Sequence, residues 1–189
     1  MNRSARLFWV ATPALIVAGR LPASAAVYLS ADDAAHELFP GVALAPERIA
    51  LTDAQAKQIE ERSGMKVRRP TVELRKGPAG ELFFVDRVLG KHEEIVYALG
   101  VDGAGKIVGV EILEYYETYG GEIRKPEWRA QFVGKSAQNR LALGAGIDNI
   151  SGATLSCRHV TDGIRRLLAT RAVLVESESE TRPPGNGAE

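Results

Sequence analysis

Apolar positions along this chain change their spacing several times, and each change marks a different kind of element. From Leu155 onward, Cys157, Val160, Ile164, Leu167 and Leu168 recur at offsets of three, four and seven, the signature of one helical face. Between residues 70 and 115 the pattern is instead extended: Val72 and Leu74 alternate with polar neighbours, and residues 82–89, 94–101 and 106–115 are rich in Phe, Val and Ile. Residues 76–80, Lys-Gly-Pro-Ala-Gly, form a turn between the first two runs, and Asp102-Gly103-Ala104-Gly105 joins the last two as a hairpin. Ahead of the strands, residues 30–41 and 52–63 read as short helices. Ser30 or Asp32 caps the first and Pro40-Gly41 ends it; Thr52 caps the second and Gly64 closes it.

These elements predict an α+β fold: a curved antiparallel sheet of about four or more strands with flanking helices, the Leu155 helix packing on one face. The chain divides accordingly into residues 1–25, an N-terminal helical segment at 26–69, a sheet-and-helix domain at 70–174, and a polar tail at 175–189. The tail, with its Glu-Ser repeats and Arg182-Pro183-Pro184-Gly185, is expected to be disordered.

Residues 1–25 have the form of an export signal. Arg3 and Arg6 precede an apolar run at 7–19, and Ala23-Ser24-Ala25 is a small-x-small cleavage site before Ala26. The run is short for a membrane span, an uncleaved anchor being the alternative. The expected location is the periplasm or the outer face of the cytoplasmic membrane. Removing Arg3, Arg6 and Arg20 turns a balance of 24 basic and 24 acidic residues into 21 against 24. A mildly acidic chain does not suit nucleic acid, which needs concentrated positive charge. Cys157 is the only cysteine, so no intramolecular disulfide can form, and its place on the apolar helix face reads as a buried structural thiol. His36, His92 and His159 lie at no metal-ligand spacing. His92 sits at a turn between strands, and His159 faces away from the apolar stripe, toward solvent.

Two stretches carry candidate chemistry. Asp148-Asn149-Ile150-Ser151-Gly152-Ala153-Thr154 breaks the preceding pattern and leads straight into the Leu155 helix. Thr154 thereby falls at a helix mouth, where free N–H groups and the helix dipole favour a phosphate, although a Thr there can equally serve as a plain N-cap. The second stretch follows the last strand: Tyr115-Tyr116-Glu117-Thr118-Tyr119-Gly120-Gly121, whose glycines signal a sharp bend or a close backbone approach.

The first stretch resembles the Asp-x-x-Ser-Gly-Ala-Thr flavinylation signature of the FMN-binding domain. That domain occurs in the flavin-carrying subunits of Na+-translocating NADH:quinone reductase and Rnf complexes and in small exported proteins. The resemblance, looser outside the signature, runs from about residue 80 to residue 170. It implies that Thr154 carries FMN through a phosphoester made by a flavin transferase with FAD as donor, and that Asp148, Ser151, Gly152, Ala153, Leu155 and Ser156 frame the site. Where the family has His-x-Glu-Thr-Pro-Gly near the flavin ring, this chain keeps Glu117, Thr118 and Gly120 and places Tyr115 and Tyr119 at the other two positions. Trp128 and Phe132, four apart on one helical turn, are either core or a wall of the ring pocket, and Lys135 is a candidate for the phosphate or the ring carbonyls.

The function so implied is an exported electron-transfer carrier relaying electrons between membrane or extracytoplasmic redox partners, such as haem- or quinone-linked proteins. The alternatives are a flavin-dependent reductase acting on a small substrate and a non-redox binding module. The chain has no Gly-x-Gly-x-x-Gly after a strand, no Cys-x-x-Cys-His and no cysteine cluster, so donor and acceptor are expected to be other molecules.

Overall fold

The computed structural model describes residues 26–117 and 120–181. The expected export signal, the residues Thr118 and Tyr119, and residues 182–189 lie outside them. Six strands form one antiparallel sheet: β1 (Ala26–Val27), β2 (Ala45–Ala50), β3 (Thr71–Lys76), β4 (Leu82–Leu89), β5 (Glu94–Val101) and β6 (Ile107–Tyr115), in the spatial order β1-β6-β5-β4-β3-β2. Four of these are the expected extended runs, and β5 pairs with β6 across the Asp102–Gly105 turn. The helices are α1 (Ala31–Leu38), α2 (Asp53–Ser63), α3 (Pro126–Ala130) and α4 (Thr154–Thr181), and a short parallel pair, β7 (Ala142–Leu143) and β8 (Gly146–Ile147), precedes α4.

Both faces of the sheet are covered. On one, Phe84, Tyr97, Leu99, Val110 and Ile112 pack with Cys157, Val160, Ile164, Leu167 and Leu168 of α4. On the other, Phe83, Val96, Ala98 and Leu113 pack with Ala34, Ala35 and Phe39 of the α1 region. Covering on two sides explains why β5 is apolar without interruption from Ile95 to Val101 and wholly buried there.

α2 starts as its sequence predicts. Thr52 Oγ1 accepts from the Gln55 backbone N–H at 3.2 Å while Gln55 Oε1 accepts from the Thr52 N–H at 2.9 Å, a reciprocal capping box. α2 and α4 lie against each other, joined by the two-pronged Arg62–Glu176 pair at 2.7 and 2.6 Å and by Gln55 Nε2 to Ser177 Oγ at 3.0 Å. Those contacts, with Lys76 to Glu178 at 2.6 Å, carry α4 to Thr181. Residues 175–181, expected in a disordered tail, therefore continue the helix. The polar side chains that suggested a solvated tail find partners on α2 and β3.

β2 also departs from expectation, because it lies within a segment read as helical. Its sequence Ala-Pro-Glu-Arg-Ile-Ala shows no apolar alternation, and only Ile49 is even partly buried. Pairing with β3 along its whole length makes it a strand, and Pro46 is tolerated because β2 lies at the sheet edge.

Close contact between α4 and the sheet depends on Gly163. A Cβ placed there would collide with the Tyr97 hydroxyl and lie 3.0 Å from Val88 Cγ1. The Tyr97 ring is fully buried and cannot swing aside. Gly163→Ala is therefore expected to lower unfolding stability by about 1–3 kcal/mol through overpacking, despite the better helix propensity of alanine. Urea unfolding reads the change; a neutral or stabilising result would mean that α4 is free to move off β5.

Candidate functional site

The carboxyl end of β6 and the first turn of α4 meet at one end of the sheet. Tyr115, the last residue of β6, is buried and its hydroxyl lies 3.3 Å from Ser156 Oγ. Burial pushes the Tyr115 phenol above its usual range, so it stays protonated at neutral pH. Gly120 sits beside them at a φ of +86°, where a Cβ would lie 2.7 Å from the Tyr115 hydroxyl and 3.0 Å from Ala153 Cβ. The glycine bend seen in the sequence is thus the close approach that seats the Asp148–Thr154 loop on the end of β6.

Thr154 is the first residue of α4 and its side chain is exposed. Asn149 Nδ2 donates to Thr154 Oγ1 at 3.0 Å, which leaves the hydroxyl proton outside that bond. Sequence reasoning misses Asn149, because it occupies an unconstrained position of the signature. Ser151 and Gly152 are exposed, with Gly152 at a φ of +84° and open space where a Cβ would stand. Ala153 and Ser156 are buried and form the floor. Leu155 is 42% exposed, an apolar surface next to the hydroxyl.

Asp148 is held by its backbone. Trp128 Nε1 donates to the Asp148 carbonyl at 2.9 Å and the Asp148 N–H donates to Gln131 Oε1 at 2.8 Å. Trp128 is 4% exposed and meets Phe132 edge-on at 5.1 Å. Both rings are core, the first of the two roles the sequence allowed, and Trp128 reaches the motif through its N–H rather than its face.

Glu117 has its carboxylate engaged by the turn between β4 and β5. Oε1 accepts from the His92 N–H at 2.5 Å and the Glu93 N–H at 3.1 Å. Burial pushes this carboxyl up, but the N–H groups of His92, Glu93 and Lys91 together outweigh it and hold the group below the usual carboxylate range. A depressed folded-state value stabilises the fold above the unfolded value of about 4.3, and that contribution is lost as pH falls through the folded value. Glu117→Gln, which keeps an oxygen acceptor and loses its charge, is expected to cost about 1 kcal/mol at pH 7, with the gap to wild type closing below about pH 4. A pH-independent gap in chemical unfolding would contradict it.

Other expected participants lie elsewhere. Gly134 and Lys135 bracket Ile107, with the Ile107 N–H donating to the Lys135 carbonyl at 2.8 Å. Ile107 begins β6 and Tyr115 ends it, about 25 Å apart at the usual rise of a strand. The fold therefore does not bring Lys135 to Thr154. Thr118 falls outside the described residues. Cys157 is fully buried and burial raises its thiol pKa, consistent with a structural thiol. His92 is exposed, as its turn position implies. His159 is not solvent-facing as expected: it is half-buried, its Nδ1 in hydrogen-bond contact with the Leu89 carbonyl, because β4 as well as β5 lies over α4. Among the described residues no group of three His, Cys, Asp or Glu could hold a metal, and no helix is long and apolar enough to cross a membrane.

A separate cleft of about 460 Å³ opens where β3 and β4 stop pairing beyond Leu74 and Phe84. Its four arginines are already paired: Arg48 with Glu73, Arg69 and Arg87 with Glu94, and Arg166 with Asp86. Arg166 stands about three helical turns beyond Thr154 along α4, so this cleft is separate from the helix mouth.

Residues 90–169 match the model of the FMN-binding domain. The chain is similar to a component of the ion-translocating oxidoreductase complex of Stutzerimonas stutzeri, 31% identical over 102 residues. That match covers 47% of this chain and 45% of the relative, so it spans about half the length of each.

Proposed function

We propose that this protein is an exported flavoprotein electron carrier, with FMN joined through its phosphate to the Thr154 hydroxyl. The observation that carries the proposal is the exposed hydroxyl of Thr154 at the start of a 28-residue helix, within Asp-x-x-Ser-Gly-Ala-Thr spacing. The surroundings fit the group. The first turn of α4 supplies N–H groups and a positive dipole end for a phosphate, Gly152 leaves the approach open, and Leu155 offers apolar area at the mouth.

Attachment by a flavin transferase balances as a phosphoryl transfer. The Thr154 oxygen forms a bond to the FMN phosphorus of FAD, the pyrophosphate bond breaks, AMP leaves, and the hydroxyl proton passes to a base of the transferase. No oxidation or reduction accompanies it. Flavin, once held, exchanges one or two electrons and so can join a two-electron donor to one-electron acceptors. Membrane-bound redox proteins suit this role, in keeping with the ion-translocating oxidoreductase complex of the relative. The export-signal pattern of residues 1–25 supports a location outside the cytoplasm, where a tether prevents loss of a soluble cofactor by dilution.

Intact mass and peptide mapping of protein recovered from the exported fraction test this proposal. The expected gain is about 438 Da, one FMN less water, on the peptide containing Thr154. An unmodified mass, with the transferase active on a control protein, would overturn covalent attachment.

A further inference from the structure

The loop that ends at Thr154 is held at both ends, and Ile150 between them packs against the core. Its far end is seated by Gly120 and Tyr115 against Ala153 and Ser156. Its near end follows β8, whose Ile147 is buried in the core; Asp148 itself is exposed, and its peptide is held by the pair of bonds from α3 and the residue after it. Trp128 and Gln131 are three positions apart and so share a side of the turn. One donates to the Asp148 carbonyl and the other accepts from the Asp148 N–H, so both peptide planes flanking Asp148 are restrained. α3 is itself anchored to the sheet, since Arg129 Nη1 donates to the Val110 carbonyl at 2.9 Å and pairs with Glu111. Phe132 is fully buried just beyond it. A rigid path therefore runs from β6 through Arg129, α3 and the Asp148 peptide to the mouth of α4.

We propose that Gln131 and Trp128 are positioning residues for the flavin: their two-sided hold on the Asp148 peptide fixes the mouth and thereby the orientation of FMN on Thr154. This rests on Thr154 as the attachment site. The clamp acts on the attached group and not on the transfer reaction, since neither side chain touches the Thr154 hydroxyl. Gln131 contributes only an oxygen acceptor, so a carboxylate can replace it and a thioether cannot. The Trp128 contribution is its N–H; phenylalanine keeps an aromatic ring in the core, at the cost of some packing volume, and loses the bond.

The test compares Gln131→Met, Gln131→Glu and Trp128→Phe in the full chain, matured with the transferase. Each is expected to carry one FMN by mass and to keep wild-type far-UV circular dichroism. In Gln131→Met, the Asp148 amide is expected to exchange its hydrogen about tenfold faster, measured on the Thr154→Ala background without flavin. On the loaded protein, flavin circular dichroism should weaken and the fast component of its fluorescence anisotropy decay should grow, in Gln131→Met and in Trp128→Phe. Gln131→Glu should match wild type in all three. FMN on Thr154 with unchanged signals in Gln131→Met, or a defect in Gln131→Glu equal to that of Gln131→Met, would overturn the clamp alone. Wild-type protein without FMN on Thr154 would overturn the attachment proposal and this one with it.

Discussion

Thr154→Ala is expected to abolish covalent flavin completely while leaving the fold intact. The side chain is exposed, and the hydroxyl accepts from the Asn149 amide, itself exposed and able to bond to water instead. Exposed positions without a structural task change stability by about 0.5 kcal/mol or less, so unfolding midpoint and m-value should match the unmodified wild type. The chemical effect is all or none, because an alanine has no oxygen to form the ester. Flavin fluorescence after denaturing electrophoresis reads the loss directly. Retained fluorescence in the variant would place the attachment on another hydroxyl, with Ser151 the nearest exposed candidate in the signature. A variant that loses both flavin and fold would instead show that Thr154 serves the start of α4.

Asp86→Ala is expected to give the largest loss of stability, about 3 kcal/mol. The Asp86 carboxylate on β4 accepts the Tyr97 hydroxyl of β5 at 2.8 Å and the Arg166 guanidinium of α4 at 2.5 Å. Fewer than one-fifth of the Asp86 and Arg166 side-chain surfaces are exposed, and Tyr97 is fully buried. Truncation leaves a largely buried hydroxyl and guanidinium without their acceptor, which costs more than the intact pair contributes. Burial first, and then the Asp86 carboxylate, hold the Tyr97 phenol well above its ordinary range, so it is a donor at neutral pH. Replacing Arg166 as well, in Asp86→Ala/Arg166→Met, should recover part of the loss, since the stranded charge is removed. Equal destabilisation of the single and double variants would show that the arginine reaches water on its own.

Thr154 and Asp86 differ in how far the sequence alone reveals them. Thr154 could be found by spacing, since a signature of neighbouring residues needs no tertiary information. Asp86 could not, because its importance comes from Tyr97 and Arg166, 11 and 80 residues away in the chain. The same division separates Thr154 from Gln131, which lies 17 residues before its partner Asp148, too far for a local pattern to link them.

Local pattern decided the four central strands, the caps of α1 and α2 and the buried face of α4, because period and capping chemistry act between residues a few positions apart. Tertiary structure decided the rest. β2 is a strand because β3 pairs with it, although Pro46, Glu47 and Arg48 carry no strand pattern. Residues 175–181 are helix because Arg62, Gln55 and Lys76 meet their polar side chains. Lys135 is distant from Thr154 because β6 runs the length of the sheet between Ile107 and Tyr115. The candidate attachment residue was therefore written in adjacent positions, whereas the surface that would orient whatever it carries is assembled from α3, the glycine bend and the end of β6, which only folding brings together.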